Sequence, residues 1–310
     1  MLPLVGLRIS VLGGDARSVY VVEEFASMGA QVKVLGIPVS DRGAKVSVCR
    51  NAAEALTGLD VLVVPLPGID KYGRLYTMSG ESPVIDKALL QSMGREVPIY
   101  TVMAGPYLAG VAGQLELRVV ELAKLQEFAI YNSIPSAEGA IQLAMERMPI
   151  TVHGCRAVVL GFGNVGMTLA RTLSALGART TVIARNLAAR ARAYEMGLEA
   201  AAPEQLTDHL KRADLVFNTV PALILDREAL ESVNPEACII DLASAPGGTD
   251  FEAARALGLN ASLAPNLPGK VAPKTAGRII ANTIRWLLQE HPPKTHLPHE
   301  GVLAHAADGR

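Results

Sequence analysis

A buried strand followed at once by three spaced glycines constrains this chain more than any other feature. Residues 156–160 (Arg-Ala-Val-Val-Leu) form a mostly apolar run, and Gly161, Gly163 and Gly166 follow with the spacing G-x-G-x-x-G. Apolar residues then recur at helical spacing as far as Leu176. Strand, glycine turn and helix in this order are typical of a βαβ unit that binds a dinucleotide.

Each glycine of this turn has a separate physical role. Gly161 permits the tight turn, Gly163 lets the backbone approach a pyrophosphate, and Gly166 lets the helix pack closely on the strand. The N-terminus of the helix adds N–H donors and the positive end of the helix dipole. The residues predicted to hold the cofactor here are Gly161, Phe162, Gly163, Asn164, Val165 and Gly166.

The end of the next strand favours NADP over NAD. That strand is predicted at 180–184, and a carboxylate that binds the ribose of NAD normally follows about 20 residues after the fingerprint. Here Ala184 and Arg185 occupy the position, and an arginine suits a 2′-phosphate. Arg190 and Arg192 are interpreted as a solvated face of the following helix.

Composition limits the possible classes of protein. The chain has 310 residues, which is enough for two domains, and its net charge of −1 gives no overall basic field for nucleic acid. No apolar run reaches the length needed to span a membrane. Its 3 cysteines are scattered, which indicates reduced thiols and a cytoplasmic protein.

The pattern of strands predicts an α/β protein with two Rossmann-like, doubly wound parallel-sheet domains and a cleft between them. Residues 1–130 are expected to form a Rossmann-like or flavodoxin-like substrate domain that has no dinucleotide of its own. Residues 131–151 supply an inter-domain helix, and 152–274 form the NADP-binding domain. A helix over 275–290 should pack back on the first domain, and 291–310 are interpreted as a disordered tail, rich in histidine and proline.

Local signals set the boundaries of the inter-domain helix. Residues 128–131 are predicted to be extended, and the helix is predicted to start in the polar run 132–139, with Ser133 or Ser136 as its N-cap and Pro135 in its first turn. Residues 265–277, with three prolines and two glycines, are predicted to be a stiff loop.

Open α/β sheets bind ligands at the carboxyl ends of their strands, which directs attention to the loops there. After one strand lie Asp15 and Arg17, which could hold a substrate carboxylate or simply form an ion pair at a helix start. Strand ends facing the cofactor supply its other predicted contacts, namely Thr219, Val220, Pro221, Asp241, Leu242, Ala243 and Pro265.

Neither histidine before the tail is predicted to act as an acid or a base. His153 precedes a strand and so lies at the wrong end of its sheet, and His209 is predicted on a surface helix; this counts against chemistry of the lactate type. The catalytic candidates are Lys274, Ser133, Glu138 and Ser244. The substrate-binding candidates are Asp15, Arg17, Asn132, Lys270 and Thr275, and no metal site is predicted.

Three long motifs resemble those of a known family. They are residues 132–139 (Asn-Ser-Ile-Pro-Ser-Ala-Glu-Gly), 241–251 (Asp-Leu-Ala-Ser-Ala-Pro-Gly-Gly-Thr-Asp-Phe) and 263–277, and the opening 11–17 agrees as well. Over about residues 5–289 the chain resembles the A subunit of bacterial dipicolinate synthase.

The resemblance implies an NADP-linked enzyme of endospore formation that oxidises dihydrodipicolinate, or its hydrated tetrahydro form, to dipicolinate. It also implies a flavoprotein-like partner, the B subunit of the synthase, a small dicarboxylate substrate and a place in the cytoplasm of the mother cell. Alanine-rich helix faces suggest a homo-oligomer. Two alternatives stay open: a non-catalytic NADP-binding subunit, or another two-domain dehydrogenase of the alanine or 2-hydroxy-acid type.

Overall fold

The computed structural model describes residues 4–244 and 246–293. The expected tail from 291 onward therefore lies almost wholly outside the described residues. Contacts divide the chain into two units: the first contains residues 4–128 and 273–293, and the second contains residues 129–272. Among the described residues, no helix is both long enough and apolar enough to cross a bilayer.

The first unit is built on a parallel sheet with the strand order β3-β2-β1-β4-β5-β6. This is the Rossmann order, so of the two expected topologies the flavodoxin-like one is not found. The strands are β1 Arg8–Leu12, β2 Gln31–Leu35, β3 Val46–Val48, β4 Val61–Val64, β5 Ile99–Thr101 and β6 Val119–Glu121. The helices are α1 Arg17–Ser27, α2 Ala52–Leu56, α3 Lys87–Ser92, α4 Pro106–Leu115 and α12 Pro273–Glu290, with a 3₁₀ turn at Leu122–Lys124.

Helices cover both faces of this sheet. On one face α1 and α12 pack against strand residues such as Ile9 and Val11, and on the other α2, α3 and α4 cover residues such as Leu62. The C-terminal helix thus packs on the first unit, as expected, and it contributes Ile280 and Ile284 to the core. A strand buried on both faces reads as a continuous apolar run, which explains Val61–Val64.

The second unit repeats the same order as β9-β8-β7-β10-β11-β12. Its strands are β7 Arg156–Leu160, β8 Arg179–Ile183, β9 Glu199–Ala201, β10 Leu215–Asn218, β11 Cys238–Asp241 and β12 Asn260–Leu263. Its helices are α6 Asn164–Ala175, α7 Leu187–Glu195, α8 Leu206–Leu210, α9 Arg227–Glu231, α10 Phe251–Ala256 and α11 Leu267–Val271, with a 3₁₀ turn at Pro203–Gln205.

One long helix, α5 Gln126–Arg147, carries the chain from the first unit into the second. The prediction of an extended piece at 128–131 is wrong, because the helix is continuous through these residues. Neither predicted N-cap is one: the Ser133 hydroxyl donates to the Ile130 carbonyl at 2.6 Å, and the Ser136 hydroxyl donates to Asn132 at 2.8 Å. These bonds satisfy both hydroxyls inside the helix, and Pro135 between them removes one backbone hydrogen bond without ending the helix.

The predicted stiff loop at 265–277 is also wrong in part. It contains α11, which begins after Asn266 at φ +62°, and the last helix begins at Pro273 rather than at 275. Proline within the first turn costs a helix nothing, since that N–H has no intrahelical acceptor. The prolines of this segment therefore lie at the starts of two helices as well as in a loop.

Candidate functional site

The glycine turn lies between β7 and α6, at the point where the strand order of the second sheet reverses. Gly161 has φ +90°, and a Cβ added there would lie 2.6 Å from the Thr219 hydroxyl. A Cβ on Gly166 would lie 2.3 Å from the Gly161 carbonyl oxygen. These two glycines are therefore required by the turn and by the close packing of helix on strand.

The middle glycine differs from its neighbours. A Cβ on Gly163 would have no protein atom within 4 Å, and the residue is exposed at the start of α6. The free space thus lies directly before a helix N-terminus, whose first-turn N–H groups have no intrahelical acceptors. This arrangement fits a bound pyrophosphate, and the residues of the turn, with Phe162, Asn164 and Val165, would form its cradle.

Thr219, Val220 and Pro221 form the opposite wall of this crevice, after β10. The Thr219 hydroxyl and backbone N–H both donate to the Leu160 carbonyl, at 2.8 and 2.9 Å, which ties the end of β10 to the end of β7. Val220 lies against Gly161, and Pro221 is exposed. The structure therefore brings both predicted loops together at the crevice.

The Asp241 carboxylate holds the loop after β11 and is fully buried. It accepts hydrogen bonds from Asn218 Nδ2 at 3.1 Å, from the backbone N–H groups of Ala243 and Gly248 at 2.9 and 2.8 Å, and from the Thr249 hydroxyl at 2.7 Å. In this structure the side chain has no exposed surface for a ligand. Its role is to position Leu242, Ala243 and the crevice wall rather than to touch a cofactor.

Arg185 lies in the loop after β8, with an exposed side chain. The Asn186 side chain caps α7 by accepting from Ala188 N at 2.8 Å. The interpretation of Arg190 as part of a solvated face is wrong, because its guanidinium donates to the Ala184 and Arg185 carbonyls at 2.8 and 3.0 Å. Arg190 fixes the loop, whereas Arg192 pairs with Glu195 on the surface.

Helix α5 brings one of its serines to the helix of the glycine turn. The Ser133 hydroxyl is buried and lies 2.7 Å from the hydroxyl of Thr168 on α6. Asn132 precedes it and is half-buried. Glu138 is exposed beside Thr172 and Leu176, toward the far end of α6. It is therefore not close to the glycine turn.

The other predicted residues of the second unit lie on exposed loops and on α11. Ser244, Pro265 and Lys270 are all exposed, and the Ser244 carbonyl accepts from Gly247 N at 2.9 Å. Helix α11 packs on α5, where a Cβ on Gly139 would lie 2.9 Å from Val271. Lys270 thus belongs to a helix that contacts the same α5 that carries Asn132 and Ser133.

The remaining candidates lie in the first unit. Arg17 is buried and forms a bidentate ion pair with Asp15, at 2.8 Å from Nε and 2.7 Å from a terminal nitrogen. Helix α12 crosses α1 so closely that a Cβ on Gly277 would lie 2.6 Å from the Arg17 carbonyl oxygen. The exposed Lys274 and Thr275 therefore begin a helix that packs beside this pair.

The described residues offer neither a poised thiol nor a metal centre. All three cysteines are buried and free, and burial, with Asp214 nearby, raises the pKa of Cys155 to about 11. Within 4–244 and 246–293, no group of three or more His, Cys, Asp or Glu side chains is arranged to hold a metal ion. His153 precedes β7 and His209 lies on α8, both away from the glycine turn, as expected.

Family models match the chain in two parts. Residues 8–123 match the N-terminal domain of the dipicolinate synthase A subunit, and residues 132–298 match the alanine dehydrogenase/PNT C-terminal domain. The dipicolinate synthase A subunit of Bacillus subtilis (strain 168) is 40% identical over 289 residues, which cover 93% of this chain and 97% of that protein. The chain belongs to the family of dipicolinate synthase A subunits.

Solved structures agree with this membership. The dipicolinate synthase A subunit from Bacillus halodurans has a TM-score of 0.88 at 36% identity, covering 92% of this chain and 99% of that one. The Bacillus subtilis protein gives 0.87 at 40% identity, with 93% and 98% covered. An L-alanine dehydrogenase, at 0.64 and 17% identity with 92% and 91% covered, shares the fold alone.

The matched domain model implies a nicotinamide cofactor and an oxidoreductase-type protein. The geometry of the glycine turn agrees with this, since the space before Gly163 is open. The sequence pattern predicted the glycine turn and the loop after β10, which lie side by side in the structure. It missed Thr168, whose contact with Ser133 depends on how α5 packs on α6, and it misread Arg190, whose hydrogen bonds go to backbone groups that carry no sequence signature.

Proposed function

We propose that this protein is the NADP-dependent A subunit of a dipicolinate synthase. The reaction is the oxidation of dihydrodipicolinate, or of its hydrated tetrahydro form after loss of water, to dipicolinate. The single observation that carries the proposal is an open glycine turn in a chain that belongs to the family of dipicolinate synthase A subunits. The setting is endospore formation, in the cytoplasm of the mother cell.

The proposed step balances as a two-electron oxidation. A ring carbon of dihydrodipicolinate loses a hydride, a neighbouring ring position loses a proton, and the ring becomes aromatic. A nicotinamide bound at the glycine turn would supply the hydride acceptor. The residues of the chain then have two tasks, which are to hold the substrate's two carboxylates and to accept one proton.

Cationic and hydroxyl side chains suit the carboxylates. Within the first unit, Arg17, Lys274 and Thr275 are the candidates, with Asp15 orienting Arg17. Within the second unit, Lys270, Asn132, Ser133 and Ser244 are the candidates. The base is proposed among Lys274, Ser133, Glu138 and Ser244. Glu138 is the weakest candidate, because it lies on α5 beside the end of α6 that is far from the glycine turn.

NADP is proposed over NAD because Arg185 stands exposed at the end of β8, where a carboxylate would bind the ribose of NAD. Arg190 strengthens the proposal, since it holds the backbone of Ala184 and Arg185 in place. The name of the relatives designates one component of a larger enzyme. We propose the flavoprotein-like B subunit of the synthase as the partner, together with homo-oligomer formation.

The test is the purified chain with NADP⁺ and freshly generated dihydrodipicolinate, followed at the absorbances of NADPH and dipicolinate. Equal amounts of the two products would support the proposal. Turnover only after addition of the B subunit would assign catalysis to the complex. NADP⁺ binding without turnover in either case would overturn the substrate and favour another two-domain dehydrogenase.

Lys274→Ala separates the proposed roles of that lysine. Loss of a general base should lower kcat by at least about 100-fold, whereas loss of a carboxylate clamp should mainly raise KM. Lys45→Ala is the matched control, because Lys45 is another exposed lysine of the first unit and lies outside the loops of the proposed site. It should leave both constants unchanged.

A further inference from the structure

A second concave surface lies at the amino ends of the strands in the second unit. It is a cavity of about 190 Å³ whose polar lining consists mainly of Arg156, Arg179, Glu199, His209 and Arg212. The glycine turn follows the carboxyl end of β7, so this cavity is at the other edge of the same sheet. The proposed dehydrogenation uses none of these residues.

The pairing of the strands forces two of the arginines together. Arg156 is the first residue of β7, Arg179 is the first residue of β8, and the two are paired Cα partners. Neighbouring strands lie about 4.8 Å apart, and paired residues place their side chains on the same face. Both arginines are exposed, so solvent screens part of the repulsion, but like charges directly opposite each other still destabilise a sheet.

The acids beside the cavity, Glu199 and Asp214, form other hydrogen bonds. In the part of the chain that the structure describes, no salt bridge includes Arg156, Arg179 or Arg212. Glu199 accepts from the Thr181 hydroxyl at 2.8 Å, and Asp214 accepts from the backbone N–H of Arg156 at 2.7 Å. Within those described residues, three guanidinium groups therefore border one cavity without a carboxylate partner at ion-pair distance.

We propose that this cavity binds a small phosphate-type oxyanion, either inorganic phosphate or the phosphate group of a small monoester. Guanidinium groups present planar, bidentate donors that match phosphate oxygens, and an anion would remove the repulsion between Arg156 and Arg179. His209 adds a ring N–H donor. A cavity of about 190 Å³ accommodates a phosphate and lies below the roughly 300–1,000 Å³ of pockets that hold larger ligands.

The site does not depend on the proposed function. It lies at the amino edge of the sheet, whereas cofactors of this fold bind at the carboxyl edge. Phosphate binding and NADP⁺ binding can therefore be measured on the same full-length chain and can fail separately.

The test is calorimetric titration of the full chain with inorganic phosphate at constant ionic strength, with chloride as the balancing anion. The double variant Arg156→Gln, Arg179→Gln should bind phosphate at least about tenfold more weakly, since each arginine supplies charge-assisted hydrogen bonds. NADP⁺ affinity should not change. Arg227→Gln is the control, because that exposed arginine of the same unit pairs with Glu231 away from the cavity.

A second readout distinguishes this site from general anion effects. In phosphate-free buffer, Arg179→Gln should leave the thermal unfolding midpoint unchanged or raise it, because it removes like-charge repulsion. In phosphate, wild type should gain stability and the variant should not. Equal phosphate affinity of wild type and the double variant, or no binding above chloride, would overturn the proposal.

Glycerol phosphate and malonate complete the titration. Binding of glycerol phosphate tighter than that of inorganic phosphate, and lost in the double variant, would identify a monoester as the source of the phosphate. Weaker binding of glycerol phosphate than of inorganic phosphate would identify the free anion. Binding of malonate but not of phosphate, lost in the same variant, would contradict the assignment to phosphate.

Discussion

The two sheets have the same strand order, yet the turn at the reversal point is open in one sheet and covered in the other. In the second unit, the turn after β7 leaves open space in front of Gly163. In the first unit, the turn after β1 is covered by residues 65–78 of the same unit: Gly14 N donates to the Tyr76 carbonyl at 2.9 Å, and Asp15 N donates to the Leu66 carbonyl at 3.0 Å. The backbone N–H groups of Gly14 and Asp15 are therefore already hydrogen-bonded within the first unit.

This difference shows how loops decide the use of a common topology. A Cβ on Gly13 would lie 2.1 Å from the Tyr76 carbonyl oxygen, whereas a Cβ on Gly163 would touch nothing. Gly13 is required so that residues 65–78 can cover the first turn. In the second turn Gly161 and Gly166 are required by packing, and only Gly163 leaves room in front of the helix. The expectation that the first unit binds no dinucleotide of its own has its physical reason here, although it stays a prediction.

The largest effect should come from filling the closed turn. Gly13→Ala places a methyl group against a backbone oxygen at a residue with φ +58°, so it should cost about 4 kcal/mol in the free energy of unfolding. The thermal unfolding midpoint measures this loss. NADP⁺ binding by the folded fraction should not change, because the glycine turn of the second unit is untouched.

Gly43→Ala is the matched control for this substitution. Gly43 has nearly the same dihedral angle, φ +63°, but no protein atom lies within 4 Å of its added Cβ. It should lose only about 1 kcal/mol, from backbone strain alone. Equal losses at Gly13 and Gly43 would show that packing by residues 65–78 does not distinguish the first turn.

The loop after β11, beside the open crevice, is held by the hydrogen bonds that Asp241 accepts. Asp241→Asn replaces a buried carboxylate that accepts four hydrogen bonds by an amide that cannot accept all of them, which should cost about 3 kcal/mol. Asp250→Asn is the control, because Asp250 caps α10 with one bond from Ala253 N at 2.9 Å, and asparagine caps as well as aspartate. Equal losses would contradict the role assigned to Asp241.

Most of the fold could be predicted because apolar runs and glycines carry local signals. The strand, glycine turn and helix at 156–176 were found in this way, and so was α12. The start of α5 was misplaced because serine and proline are common at helix starts, whereas the hydroxyls of Ser133 and Ser136 here donate to carbonyls of the preceding turn inside a continuous helix. The edge strand β6, of three half-buried residues, was not predicted.

The candidate site could be predicted only where its residues are neighbours in the sequence. The residues of the glycine turn are adjacent in sequence, so their spacing was enough. The Asp241 network joins residues from 218 to 249, and no local pattern shows that the carboxylate turns inward. A residue at a strand end can face a ligand or support a loop, and only tertiary contacts distinguish the two.

Filling the open turn should affect binding and leave stability almost unchanged. Gly163→Val puts its side chain into the space proposed for pyrophosphate, so NADP⁺ should bind about 50-fold more weakly, equivalent to about 2.3 kcal/mol. The thermal midpoint without ligand should shift little, because the added atoms meet no protein atom. Isothermal titration and thermal unfolding measure the two effects.

Gly163→Ala completes a size series at this position. It should weaken NADP⁺ binding less than Gly163→Val does, because a methyl group occupies less of the same space. If both variants bound NADP⁺ like the wild type while Gly13→Ala unfolded the chain, the second turn would be open for a reason other than the cofactor.

The smallest effect is expected from Arg185→Gln, which tests whether the protein prefers NADP to NAD. Arg185→Gln removes one exposed guanidinium at the end of β8, so NADP⁺ affinity should fall about tenfold through loss of a charge-assisted contact, while NAD⁺ affinity stays the same. Arg192→Gln is the control, since Arg192 lies on the next helix and pairs with Glu195 at 2.9 Å. Because the 2′-phosphate is the only difference between the two cofactors, equal weakening of both by Arg185→Gln would mean that the arginine acts on the pyrophosphate or on the loop. A selective loss of NADP⁺ binding would instead tie cofactor choice to this loop, whose backbone Arg190 holds through two carbonyls.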